Sequence, residues 1–437
     1  MIEESLDKAA TNKALNAFIT IDKECALAAA QKVDDLVATK QDTGPLCGIP
    51  LVIKDNINVE GMRTTAGTPG IDFIARSSAP VVEQLVEANA IIIGKSNMHE
   101  LAFGVTSNNT AFGAVRNPKD LACFPGGSSG GTASAIAAGI VPAGLGTDTA
   151  GSVRLPAALT GIVGFRPTTQ SLDQEGVVPS VPTFDVVGPM SQSVADTAYL
   201  YKLMGSNCMP QDKKITGLRL GVARPHSDEL SSRVSSAFLQ AQNRLVRAGA
   251  TLVSIDLSNV VNAAFEVGFP IGFYQMKSAM TTFLAKFQPD TSLEDLVDKI
   301  ASTDVKAVYQ ESVLGKNAPS EKKYRWALGE LTEIQQEYLN IVRRHGVDAV
   351  IFPTAPIEAQ PLLTSSEFIT LNGIKIPTLS LYLRNLASTS VCSAPGITIP
   401  IGGTDSGLPV GLELDGRPDE DLELLAIATA VESALNS

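Results

Sequence analysis

The residues of this 437-residue chain best suited to chemistry fall in three short segments. Gly126 to Gly131 reads Gly-Gly-Ser-Ser-Gly-Gly, which sets Ser128 and Ser129 on a backbone able to turn sharply. Ser152 follows 24 residues after Ser128 in a second small-residue loop, GLGTDTAGSVRLP, and Lys54 ends the apolar run PLVIK. A serine hydroxyl attacks a carbonyl only once a base takes its proton. The chemistry on offer is acyl transfer, provided a serine and a base can be paired.

Four readings of the Gly/Ser run compete. A flexible linker would run on into polar residues, whereas TASAIAAGI follows, an Ala-rich helix former. A phosphate loop needs Lys-Ser or Lys-Thr after its last glycine, and Thr132 follows with no lysine. Gly94-Lys95-Ser96 supplies those types elsewhere but lacks the earlier glycine of that pattern. A nucleophile elbow is matched by Gly127-Ser128-Ser129-Gly130-Gly131 with Ser129 at its centre, and that chemistry requires a histidine base. Of the three histidines, His226 and His345 stand in polar surroundings that read as surface, and His99 precedes the serine at an apparent helix start. In the fourth reading Ser152 sits just before a helix. The amides of Thr149, Ala150, Gly151 and Ser152 converge there as an anion-binding nest, and Lys54 is desolvated enough to become neutral.

The elements that would carry these residues alternate as in an α/β fold. Strand candidates are 16–21, 50–54, 90–94, 218–223, 251–257, 348–352, 396–401 and 409–414. Helix candidates include 23–39, 79–88, 130–139, 228–247, 320–344 and 419–434. The stretch 260–345 reads mostly helical, as a cap or insertion. No long Pro/Gly/Ser linker and no repeat of 20 to 50 residues divides the chain, so a single domain over 1–437 is expected.

Composition narrows the function classes. With 44% hydrophobic and 18% charged residues the chain should bury a large core. A net charge of −12 argues against nucleic acid or an anionic membrane surface and favours small-molecule substrates. The five cysteines are scattered and include no CxxC pair, so neither a disulfide framework nor a metal site is expected. The N-terminal residues show no basic and apolar leader, which suggests the cytoplasm.

Taken together, GIPLVIKDNI, GKSNMHELAFG, NPKDLACFPGGSSGGTASAIAAG, GLGTDTAGSVRLPAALTGIVGFRPT, DAVIFPTAP and APGITIPIG resemble the amidase signature family of serine hydrolases over nearly the whole chain. The resemblance implies a large twisted mixed β-sheet covered by α-helices on both faces, with a signature core at about 45–215 and a variable segment at 260–345 lining the pocket. It implies a triad of Ser152 as nucleophile, Ser128, on an unusual cis peptide, as proton relay, and Lys54 as general base. Ser129 becomes a hydrogen-bonding neighbour of Lys54. Keeping Lys54 neutral near pH 7 costs about 4 to 5 kcal/mol, to be met by burial and a nearby positive charge. The amides of residues 149–152 would stabilise the oxyanion, with Ala150 at a position often filled by glycine.

Further roles follow from the same resemblance. Asp148 and Arg154 pair to brace the loop, and Lys95 is a rival base whose context matches a structural motif. Substrate lies near Ala102, while Met98, Phe103 and the apolar residues of LAFGV read as core. The C-terminal stretch resembles the branch acting on small aryl or arylalkyl primary amides. Carbamates, anilides and esters share the acyl chemistry. The A subunit of a tRNA-dependent amidotransferase is a contrasting possibility that would need a partner. No cofactor is implied, and a homodimer is left open.

Overall fold

The computed structural model describes residues 1–403 and 407–437. Eleven strands form one mixed sheet, in the order Phe18–Ile21, Ile91–Ser96, Pro50–Lys54, Ala143–Asp148, Val186–Ser191, Val163–Arg166, Gly396–Gly403, Pro409–Asp415, Ala349–Pro353, Arg219–Arg224 and Thr251–Asp256. Pro50–Lys54 runs parallel to both its neighbours, and the five middle pairings from Ala143–Asp148 to Ala349–Pro353 are antiparallel.

Alternation along the central strands sends side chains into two different cores. Leu51 and Ile53 pack with the helices Pro80–Glu87, Val194–Tyr201 and Asp421–Asn436 on one face. Val52 points the other way, into the core under Ile2–Thr11, Lys23–Ala38, Gly130–Ala137 and Arg154–Thr160. All five residues of Pro50–Lys54 are buried, as befits a strand with helices on both faces. A polar residue at its end is thereby forced into a dry interior, and that residue is Lys54.

The expected strands and helices recur with ends moved by a few residues. Three strands of the sheet's middle escape the sequence patterns: Ala143–Asp148, Val163–Arg166 and Val186–Ser191. Their sequences, AGLGTD, VGFR and VVGPMS, are rich in glycine and carry a proline, residues that are poor strand formers unless the neighbours cover them. The segment 260–345 is mostly helical, containing Leu293–Lys299, Thr303–Val308 and Glu321–His345 after the long helix Ser258–Phe287. A helix at Thr378–Val391, absent from the sequence expectations, packs against Ser258–Phe287. Among the described residues no helix is long and apolar enough to cross a membrane.

Candidate active site

The Gly/Ser run is interior structure. Residues 123–136 are all buried, and the helix Gly130–Ala137 begins directly after Ser129. A Cβ at Gly131 would lie 2.2 Å from the Asn97 carbonyl oxygen, so only glycine lets the backbone pass this close to its neighbours. The Gly127–Ser128 peptide is cis.

Lys54 reaches this turn from the end of its strand. Its Nζ lies 2.7 Å from Ser128 Oγ, 2.7 Å from Thr147 Oγ1 and 3.4 Å from the Thr147 carbonyl oxygen. Complete burial brings its pKa down from 10.5 to about 7, against the opposing pull of the Asp148 and Asp185 carboxylates. The expected positive charge plays no part. Desolvation alone does the lowering, and the charged groups that act on Lys54 are anions.

Ser129 departs from expectation as well. Its hydroxyl donates to the Thr147 carbonyl at 3.2 Å and accepts from the Thr147 amide at 3.3 Å, with no bond to Lys54. The second hydroxyl on Lys54 belongs to Thr147, which also accepts from Asn56 Nδ2 at 3.1 Å. Neither Thr147 nor Asn56 stood out in the sequence. The available signal is Thr147's place beside Asp148 in the strand Ala143–Asp148, whose glycine-rich sequence carries no strand pattern.

Lys95, the rival base, is held differently. It pairs with the buried Asp55 carboxylate at 3.4 Å and donates to Thr64 Oγ1 and the Arg63 carbonyl. Burial lowers its pKa while Asp55 pulls it back. An ammonium with its own carboxylate is a structural group.

Ser152 is half-buried beside the turn, and its carbonyl accepts from the Ser129 amide at 3.1 Å. The loop before it is braced from below. Arg154 grips the Asp148 carboxylate through Nε at 3.0 Å and Nη2 at 3.1 Å, and Arg166 adds a contact at 3.2 Å. Burial by itself would raise the Asp148 pKa, but Arg154 and Arg166 outweigh it and hold the carboxyl well below the usual range. Arg154 also meets Glu413 Oε1 at 3.0 Å, a buried carboxylate whose pKa is raised by burial and by neighbouring Asp415.

This bracing alters the expected nest. The Gly151 amide donates to Asp148 Oδ1 at 2.8 Å and is committed to the scaffold. Among the described residues the amides of Thr149, Ala150 and Ser152 have no partner in the chain, which leaves three donors for an oxyanion. Ala150 needs no left-handed backbone, so alanine costs nothing there. Gly151 does need it, with φ +118°, and a Cβ would strike Leu386 Cδ1 at 2.5 Å. Thr149 is anchored through its hydroxyl to Asp185 Oδ1 at 2.6 Å.

These loops open onto a cavity of about 120 Å³. Ala102, Thr149, Ala150, Gly151 and Ser152 are among the residues that line it. Its far walls are two helices: Ser258–Phe287 contributes Phe265, Phe269, Phe273 and Met276, and Thr378–Val391 contributes Leu379, Leu383 and Leu386. Phe103 and Val105 pack with the core as expected, Val105 inside a buried cluster and Phe103 against another, and both also line the cavity, whereas Met98 is buried away from it. Among the described residues no charged side chain lines the cavity.

The histidines offer no base. His226 is fully buried rather than at the surface, stacked on Phe352 at 4.3 Å, with Nε2 3.0 Å from Ser388 Oγ. Burial and Arg384 push its pKa down to about 3. His99 accepts from the Ser107 amide and contacts Asp304 at 3.2 Å, and His345 meets the Ile341 carbonyl at its helix end. The Gly-x-Ser-x-Gly match at Ser129 has no imidazole to serve it.

Comparison with known proteins agrees with this architecture. Residues 1–425 match the family described as Amidase. The mandelamide hydrolase of Pseudomonas putida is 35% identical, aligned over 100% of this chain and 88% of its own length. The indoleacetamide hydrolase of Agrobacterium vitis is 36% identical, over 100% of this chain and 93% of its own. A crystal structure of an amidase superposes with a TM-score of 0.88 at 31% identity, covering 99% of this chain and 95% of that one. The chain belongs to the amidase signature family of C–N hydrolases.

Proposed function

We propose that this protein hydrolyses small uncharged aryl or arylalkyl primary amides to the acid and ammonia through an acyl-enzyme on Ser152. The contact that carries the proposal is the buried 2.7 Å hydrogen bond between Lys54 Nζ and Ser128 Oγ, beside Ser152. A neutral amine has two N–H donors and one lone pair. Directed at Thr147 Oγ1 and the Thr147 carbonyl, the two donors leave the lone pair free to accept the Ser128 proton.

As Ser128 passes its proton to Lys54 it takes the one on Ser152, and Ser152 Oγ adds to the amide carbonyl. The free amides of Thr149, Ala150 and Ser152 receive the negative oxygen, each worth about 2.7 to 4 kcal/mol in the transition state. When the C–N bond breaks, Ser128 protonates the leaving nitrogen and is reprotonated by the Lys54 ammonium. Water then attacks the ester, loses its proton through the same relay, and releases the acid with Ser152 restored.

The cavity supports the substrate class. Its aromatic, uncharged walls suit a flat neutral acyl group. The amides in the names of the two hydrolase relatives are of this arylalkyl kind. Glutamine, the ammonia donor an amidotransferase subunit would use, is a zwitterion and finds no counter-ion there.

A panel of phenylacetamide, an anilide, a carbamate, an ester and glutamine, assayed without ATP for acid and amine release, tests the class. Arylalkyl primary amides should give the highest kcat/KM. Ser152→Ala should lower turnover by at least about 10³-fold. Full activity in that variant, or preference for glutamine, would refute the proposal.

A further inference from the structure

Within the long helix Ser258–Phe287, two glycines four residues apart, Gly268 and Gly272, both face the active-site cavity. Glycine is the poorest helix former after proline, and Pro270 stands between them. Three unfavourable residues in five positions call for a reason. Backbone geometry supplies none, since neither glycine has a positive φ.

Close packing supplies none either. A Cβ at Gly268 would meet Val391 Cγ2 at 3.7 Å, and one at Gly272 would meet Val181 Cγ2 at 3.4 Å. Both are ordinary van der Waals contacts, unlike the 2.2 Å overlap at Gly131. Val391, at the end of the helix Thr378–Val391, and Val181 both line the cavity themselves. An added methyl would therefore fit the fold and take up cavity space between the long helix and these two residues.

We infer that Gly268 and Gly272 are specificity-determining residues, whose missing side chains hold open the slot that receives the flat acyl group of the substrate. Phe269 and Phe273, stacked at 5.5 Å on the adjacent row of the same helix, form the aromatic side of that slot. A planar ring can lie against them only while the space over the glycines is clear. The inference rests on Ser152 being the reacting group of this cavity. It adds that the helix gives up propensity to set the width of the acyl site.

Gly268→Ala and Gly272→Ala test this with three readouts in the full chain. Melting temperature should hold or rise, because alanine favours the helix. The ratio of kcat/KM for phenylacetamide to that for propionamide should fall roughly tenfold or more, the scale of one methyl group in an apolar pocket. Phenylacetamide binding to Ser152→Ala, measured by calorimetry, should weaken by a similar factor when either glycine substitution is added.

An unchanged ratio with unchanged binding would overturn the inference, and so would a drop of several degrees in melting temperature, which would mark the glycines as packing residues. Weakened binding in the glycine variants alongside a wild type that hydrolyses no amide would refute the proposed reaction while leaving the slot in place.

Discussion

Because burial brings Lys54 to about 7, turnover limited by acylation should follow its neutral fraction. For a base of that pKa the fraction is roughly 1% at pH 5, 9% at pH 6, 50% at pH 7 and 91% at pH 8. With a primary amide slow enough for acylation to limit, kcat/KM should rise about tenfold from pH 6 to pH 8 and then level. The same shift affects stability. Between pH 7 and about 10.5 the unfolded chain holds a proton on Lys54 that the native state has released, so this residue makes stability rise with pH there. Below pH 7 the folded protein carries the whole cost of a buried ammonium, about 5 kcal/mol, which fades to about 1 kcal/mol at pH 10. Lys54→Met removes the charge, at the expense of its hydrogen bonds to Ser128 and Thr147. Its stability relative to wild type, from urea melts, should be most favourable near pH 6 and decline steadily towards pH 10, with no turnover at any pH. A flat rate profile from pH 6 to 10, a midpoint above pH 9, or a stability difference independent of pH would refute burial of Lys54 as the source of its basicity.

Two further substitutions probe the groups around the site. Thr147→Val removes a hydroxyl from Lys54 but keeps the shape of the side chain. It should lower kcat by about 5- to 15-fold, the worth of one hydrogen bond of 1 to 1.5 kcal/mol, with KM little changed. A fall confined to KM would exclude Thr147 as a positioning residue for the base. Arg154→Met leaves the Asp148 and Glu413 carboxylates buried without their shared partner. Chemical denaturation should show a loss of about 3 to 5 kcal/mol, and a loss under 1 kcal/mol would mean that Arg166 suffices to hold the loop.

The sequence by itself determined the local features. Periodic apolar runs marked most of the outer strands and the long helices, since burial on one face or both leaves a repeat that can be read residue by residue. The serines, Lys54 and the Asp148–Arg154 brace stood in short segments whose residue types already implied acyl chemistry. The middle of the sheet was hidden, because Ala143–Asp148 and its neighbours use glycine and proline, and only cover from both faces makes strands of them. Only in that strand does Thr147 reach Lys54, while Ser129 turns its hydroxyl to the Thr147 backbone.

Tertiary structure alone decided which groups meet. It put His226 in the core, committed the Gly151 amide to Asp148 and left three other amides free. It also brought Phe103, the helix Ser258–Phe287 and the helix Thr378–Val391 around one cavity. These are contacts between residues far apart in the chain, and no local pattern records them. The basicity of Lys54 joins the two levels. An apolar strand ending in lysine is visible in the sequence, but desolvation depends on what is packed around the ammonium, and that exists only in the folded protein.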